Sequence, residues 1–408
     1  MRIAIWWDQE SWGGVDTHLL TLLRNWPSCD DRVVLFHNQT NQGAHRILQG
    51  LAGCSLAQSG QLSVVTFPEL VKRLPNPLGK ILRYFLFPLL IWIWKRKASC
   101  LLKSHGPFDA LISDNGAYPG AWSCLGVLWS ATAVRIPVRL LLVHHAAGRW
   151  RPLRHNVEAL LDLAVQRWVT DLVAVSRATR LTLLERRGFN SEINPIRVVH
   201  NGVDPPNESE DACVDLREQL SIPDGKFVVG MVGRVERYKG HEDLMLALSL
   251  LPQPLQKQIA VVVVGGGEPA EQRRLESIAR SIGVESQVKF AGYVKGNPCL
   301  LIRQFDLLAS LTKDFEGFAL TVAEAMWVGT PVLATAVGGV PEFVSSEIAV
   351  LIPPESPGDI AASLSYAYAH REDMRARAER AQQHIQRFSG KVMADQFYQL
   401  LVTSGASV

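Results

Sequence analysis

Runs of aliphatic and β-branched residues recur along the chain, separated by stretches in which apolar positions repeat every three or four residues. In the first half the runs fall at 2–6, 32–36, 138–143 and 172–175, and Leu19, Leu20 and Leu23 mark a helix after the first of them. In the second half they fall at 227–232, 260–264, 288–290, 307–311, 331–334 and 350–352, with helical periodicity at 242–250, 269–281 and 320–328. Strands that are apolar throughout are covered on both faces, so each half is predicted to be a parallel sheet wrapped by helices. Ligands of such sheets bind beyond the carboxyl ends of the strands, and two such domains would face a central cleft. No strand is read between about 40 and 135. Near the end, 374–387 and 392–401 read as helices, and Phe397, Leu400 and Leu401 could dock the last one on either domain.

At 408 residues and 47% hydrophobic composition the chain is globular and long enough for two or three domains. The net charge of +3 conceals an asymmetry: residues 1–204 carry 23 Lys and Arg against 14 Asp and Glu, whereas 205–408 carry 19 against 25. That imbalance points the basic half at an anionic partner. The polar, Pro-containing run from Asp204 to Glu210 reads as a linker. The expected division is 1–204, 205–388 and a terminal helix over 389–408. Six cysteines without a C-x-x-C pair suggest reduced thiols in a cytosolic setting. Asp8 arrives too early for a signal peptide, and Gly, Ser, Thr and Pro119 break up the uncharged stretch 115–134, so no membrane span is expected.

The strongest chemical signal is the run Lys313-Asp314-Phe315-Glu316-Gly317-Phe318-Ala319-Leu320, with Glu324 further on. It places one glutamate before a helix and one inside it, with free N–H groups after Gly317 between them. Two carboxylates so separated can grip two hydroxyl-bearing parts of an elongated ligand, although either alone would serve equally as a helix-end charge or a solvated side chain. Arg234 lies just past a strand and Lys239 five residues on, a fork and a point charge suited to a diphosphate. Gly265-Gly266-Gly267 after the next strand suggests close approach of backbone to a ligand or helix.

In this order, with Gly13-Gly14, His200-Asn201-Gly202, Gly329-Thr330-Pro331 and Gly338-Gly339-Val340-Pro341-Glu342, these segments resemble the retaining glycosyltransferases of family 4. The resemblance implies the GT-B fold, two doubly wound Rossmann-like domains, and transfer of a sugar from a nucleotide diphosphate sugar with retained configuration. By the same likeness Arg234 and Lys239 bind the diphosphate, Glu316 the donor-sugar hydroxyls and Glu324 the ribose. Gly13, Gly14, Gly317, Phe318, Ala319 and Leu320 complete the donor site. The catalytic set is His144, Glu316, Arg234 and Lys239, His144 being favoured over its neighbour His145. The family's usual route is a front-face, internal-return mechanism. The chain departs from the pattern at Asp16, where glutamate is common, at Ala319, where glycine is usual, and at 309–314, where a Pro-Ser pair is usual. No D-x-D pair is present, so no metal and no other cofactor is expected.

Residues 70–108 contain no acid and eight basic residues: Lys72, Arg73, Lys80, Arg83, Lys95, Arg96, Lys97 and Lys103. The apolar and aromatic block 84–94 lies at their centre. Rings beside cations suit an anionic membrane surface contacted through 72–103; a buried helix with solvated basic ends is the other reading. The implied acceptor is a glycan or lipid-linked molecule of cell-surface polysaccharide or lipopolysaccharide type, met at the inner face of the cell membrane. Nucleic acid is not expected, because the aromatics do not interleave with the basic residues. Other activities of this fold, a nucleotide-sugar epimerase or a phosphorylase, and a silent membrane scaffold are the alternatives. Intact Arg234, Lys239, Glu316 and Glu324 speak against the scaffold.

Overall fold

A computed structural model describes residues 1–10, 12–68, 85–206 and 214–406. The chain forms two compact units, residues 1–202 with 390–408 and residues 203–389. Each is built on one parallel sheet covered by helices.

In the first unit the strands are β1 (Arg2–Trp7), β2 (Arg32–Asn38), β3 (Leu62–Phe67), β4 (Ala110–Asn115), β5 (Val138–Val143), β6 (Asp171–Ala174) and β7 (Ile196–Val198). Their order across the sheet is β3-β2-β1-β4-β5-β6-β7. The second unit runs β8 (Phe227–Val232), β9 (Ile259–Val264), β10 (Val288–Gly292), β11 (Leu307–Ser310), β12 (Val332–Thr335) and β13 (Val350–Ile352). Its order, β10-β9-β8-β11-β12-β13, repeats the doubly wound 3-2-1-4-5-6 arrangement. The order reverses beside β1 and β4 in one unit, and beside β8 and β11 in the other. There the helices leave in opposite directions and open a crevice at the strands' carboxyl ends.

Burial explains the unbroken apolar runs: every residue of β9, and β5 but for the half-buried Arg139, is sealed between helices. Among the described residues, the region 40–135 holds two strands and two long helices. The strand β4 is central, yet it ends in Ser113-Asp114-Asn115, which masks it as a loop. After it comes the helix Trp122–Ala133, in which a Cβ on Gly126 would fall 2.5 Å from the Trp94 Cβ, so glycine admits the helix Phe87–His105 at close range. That second helix buries Phe87, Ile91, Trp94, Ala98 and Leu102 and leaves Phe85, Leu89 and Trp92 on the surface beside it. The apolar block is thus half core and half exposed. Lys72, Arg73, Lys80, Arg83 and Tyr84 lie outside the described residues. Among the described residues no helix is long and apolar enough to cross a membrane.

The last helix, Gly390–Ala406, belongs to the first unit, where Phe397 and Leu401 are buried and Ser404 donates to Asp171 at 2.8 Å. Cys29, Cys54, Cys100, Cys124 and Cys299 are free thiols.

Candidate functional site

Both crevices carry chemistry, and they carry different kinds. In the second unit β8 ends at Val232 and passes into Gly233-Arg234. Gly233 holds φ +145°, and a Cβ on Gly265 would meet the Gly233 carbonyl oxygen at 1.8 Å. The close approach expected of the triple glycine is therefore made to the backbone of the Arg234 loop, not to a helix. Gly240 sits at φ +80° against the Leu311 carbonyl, which brings Lys239 over the end of β11. Gly338 is in turn pressed on Glu316, whose carbonyl accepts from the Gly339 N–H at 2.8 Å.

These glycines bring Lys239 and Glu316 into direct contact, Nζ to Oε1, and Thr312 donates to the same oxygen at 2.6 Å. Gly233, Arg234, Lys239, His241, Thr312 and Glu316 line one hollow. Arg234 is more than half exposed and pairs with Glu236 at 2.9 Å. Neither Thr312 nor His241 was legible as a site residue; a hydroxyl four positions before Glu316 and a His directly after Gly240 were the available signals. His241 is pushed down to about 4 by burial, reinforced by the charge of Lys239.

The helix Leu320–Val328 begins after Ala319, which takes the left-handed conformation at φ +53°, ψ +66°. That backbone is natural to glycine and strained for alanine. Phe318 stacks on Phe343 with centroids 4.4 Å apart. Glu324 lies inside the helix, nearly fully buried, and burial pushes its carboxyl up to about 8.

The first unit's crevice is of another character. The Gly13 N–H donates to Asp16 at 2.6 Å, closing the start of the helix Gly14–Arg24. Gly13 itself is extended, and a Cβ there would find only Asp16 within 4.0 Å, so its surroundings are open. Gly14 is exposed. His144 follows β5, its Nε2 at 2.7 Å from Asp114 Oδ1, and its side chain is largely buried; His145 is exposed. The His18 ring meets His144 edge to face at 4.6 Å, and its Nδ1 is 2.9 Å from Asn201 Oδ1. Burial drives Asp16 and His18 toward neutrality. Asp16 is pushed up to about 7, burial leading and the charge of Asp114 adding, against the Gly13 hydrogen bond. His18 is held well below its ordinary value by burial and by His144. Asp114 and His18 escaped the sequence reading, and Asn201 lay in a quoted motif with no role.

Among the described residues no group of three or more His, Cys, Asp or Glu could hold a metal ion.

Residues 12–206 match the model of Glycosyltransferase Family 4, and 215–384 that of Glycosyl transferases group 1. A D-inositol 3-phosphate glycosyltransferase of Corynebacterium jeikeium is 32% identical over 222 residues, covering 52% of this chain and 53% of that protein. The chain thus spans about half the length of the first curated relatives it matches. The enzyme of the same name from Salinispora arenicola is 26% identical over 371 residues, 86% of this chain and 79% of that one. Among solved structures, Anabaena HepE in complex with UDP and glucose superposes with a TM-score of 0.72 at 21% identity, covering 99% of this chain and 100% of that one. Two matched models that together span both sheets, and structural neighbours that share the two-sheet architecture, make this chain a member of the family 4, group 1 glycosyltransferases with the GT-B fold.

Proposed function

We propose that this protein transfers a sugar, with retention of configuration, from a nucleotide diphosphate sugar to a glycan or lipid-linked acceptor. The second unit binds the donor and the first the acceptor. The observation that carries the reading is the hollow at the ends of β8 and β11, where Lys239, Glu316 and Thr312 meet beside Arg234. Cleaving a sugar–phosphate bond builds positive charge on the sugar and negative charge on the departing diphosphate. Lys239 and the exposed Arg234 stabilise the latter, and preorganised charges of this kind are worth about 10²–10³ in rate per group. Glu316 accepts from the donor-sugar hydroxyls, and its fit is held by Thr312 and the Gly339 loop. Glu324 takes the ribose hydroxyls. Gly13, Gly14 and the 317–320 turn leave room for backbone to approach the phosphates. His144 orients the acceptor or receives its proton. With cations already in place, no metal is required. The UDP and glucose in the HepE structure favour a uridine nucleotide as the first donor to try.

A panel of nucleotide sugars, read by thermal shift and by sugar release, tests this. One donor should stabilise the chain and be consumed, and Glu316→Gln should lower transfer more than 100-fold while leaving the fold intact. Transfer at the wild-type rate would remove Glu316 from the site. Release of an epimer from donor alone would favour the epimerase reading.

Peripheral attachment to an anionic membrane is supported by the exposed Phe85, Leu89 and Trp92, with the Arg96 guanidinium stacked 5.2 Å above the Trp92 ring. Flotation should carry the protein up with anionic liposomes and leave it behind with neutral ones; failure to float with either would overturn the attachment.

A further inference from the structure

The ladder between β4 and β5 sets Asp114 opposite Leu142, and His144 stands two residues beyond Leu142, on the same face of the sheet. The ladder continues past the strand, since the His144 N–H donates to the Gly116 carbonyl at 3.1 Å. Two adjacent central strands therefore fix both ends of the Asp114–His144 contact. A carboxylate only accepts, so at 2.7 Å the imidazole must carry its proton on Nε2. In the neutral ring Nδ1 is then a bare lone pair, and this atom is buried without a partner among the described residues. A buried acceptor left unmet is costly, a cost removed when a hydroxyl donates to it.

We propose that Asp114 is a positioning residue of the reaction, holding His144 in the Nε2–H form so that Nδ1 accepts a hydrogen bond from a hydroxyl of the bound substrate. The assignment of a sugar hydroxyl rests on the transferase reading above; the tautomer does not. The titratable groups that face the pair are Asp16 and His18, both on the helix Gly14–Arg24, which covers this end of the sheet. Cys124, on the helix Trp122–Ala133, feels Asp114 and also Asp8 beyond β1. Asp16 is pushed up to about 7, which lessens negative charge beside Asp114 near neutral pH and leaves that carboxylate to the imidazole.

The test is nitrogen-15 NMR of the whole chain, with the His144 signals assigned by their loss in His144→Asn. Wild type should show Nε2 protonated and Nδ1 bare, and Asp114→Asn should move a large share of the population to the Nδ1–H form. The same variant should lower kcat about 100-fold, hold the donor KM within about threefold and shift the acid limb of the pH–rate profile; Asp114→Glu should recover part of the loss. If Asp114→Asn unfolds the chain, Asp114→Glu and the wild-type spectrum still decide. A wild-type ring protonated on Nδ1, or a tautomer and pH profile unmoved in Asp114→Asn, overturns the proposal. A chain that turns over no sugar donor at all would sink the transferase reading, and the tautomer spectrum would still judge the geometry.

Discussion

The two sheets share one strand order, and each gathers its polar side chains where that order reverses, yet the two crevices hold opposite electrical characters. In the second unit the two cations stay wet: Lys239 is 24% exposed, Arg234 59%, and each lies beside a carboxylate. In the first, His18 and Asp16 are at most 1% exposed, and desolvation favours their uncharged forms. Solvent access, not topology, decides whether a crevice of this fold stores charge or stores protons. A departing diphosphate needs fixed charge, whereas orienting or deprotonating a hydroxyl needs a neutral imidazole with a free lone pair.

Glu324 sharpens the contrast, a buried carboxyl in the same unit as the exposed Arg234. Its carboxyl is raised from 4.5 to about 8, so between those values the folded chain keeps a proton that the unfolded chain has released. Stability contributed by this group is complete below about 4.5 and is lost as pH rises through 8. Glu324→Gln should therefore be more stable than wild type at pH 8, by about 4 kcal/mol, and equal to it near pH 4. It should bind the nucleotide about tenfold more weakly if the carboxylate grips ribose. Asp16→Asn should flatten the same slope between 3.8 and about 7, by a smaller amount, because the Gly13 hydrogen bond already offsets part of the burial. Scans of melting temperature against pH on both variants check this pair. Slopes identical to wild type would mean that water reaches both carboxyls.

The smallest effect concerns Ala319. Restoring glycine removes a left-handed alanine at a cost in chain entropy, for a net gain of about 0.5–1 kcal/mol. A melting temperature raised by a degree or two in Ala319→Gly is expected, and a fall would show that the methyl group packs favourably enough to outweigh its backbone.

What the sequence disclosed followed from what was periodic. The strands of the second unit were readable to within a residue or two, because runs such as 260–264 are apolar from end to end. The motif spacing likewise put Lys239, Glu316 and Arg234 on loops at strand ends. The central strand β4 was missed for a physical reason: its last three residues are polar, Ser113 and Asn115 because they bond the backbone at 119–124 and Asp114 because it meets His144. Losing the strand concealed Asp114, and with it the partner of His144. His18 was hidden in the same way, a polar residue on the inward face of a helix read only from its leucines. The glycines were readable as close contacts but not as contacts to one another, since which loop lies against Gly265 depends on strand order.

Within the second unit, Val203 pairs with Ser389 in a parallel bridge, and the Val203 N–H donates to the Phe388 carbonyl at 2.9 Å. The polypeptide enters and leaves that unit at neighbouring points, so in chain order it is an insertion within the other. Such an insertion lends itself to excision, or to closure on itself by a few added residues, with the seven-stranded sheet left uncut.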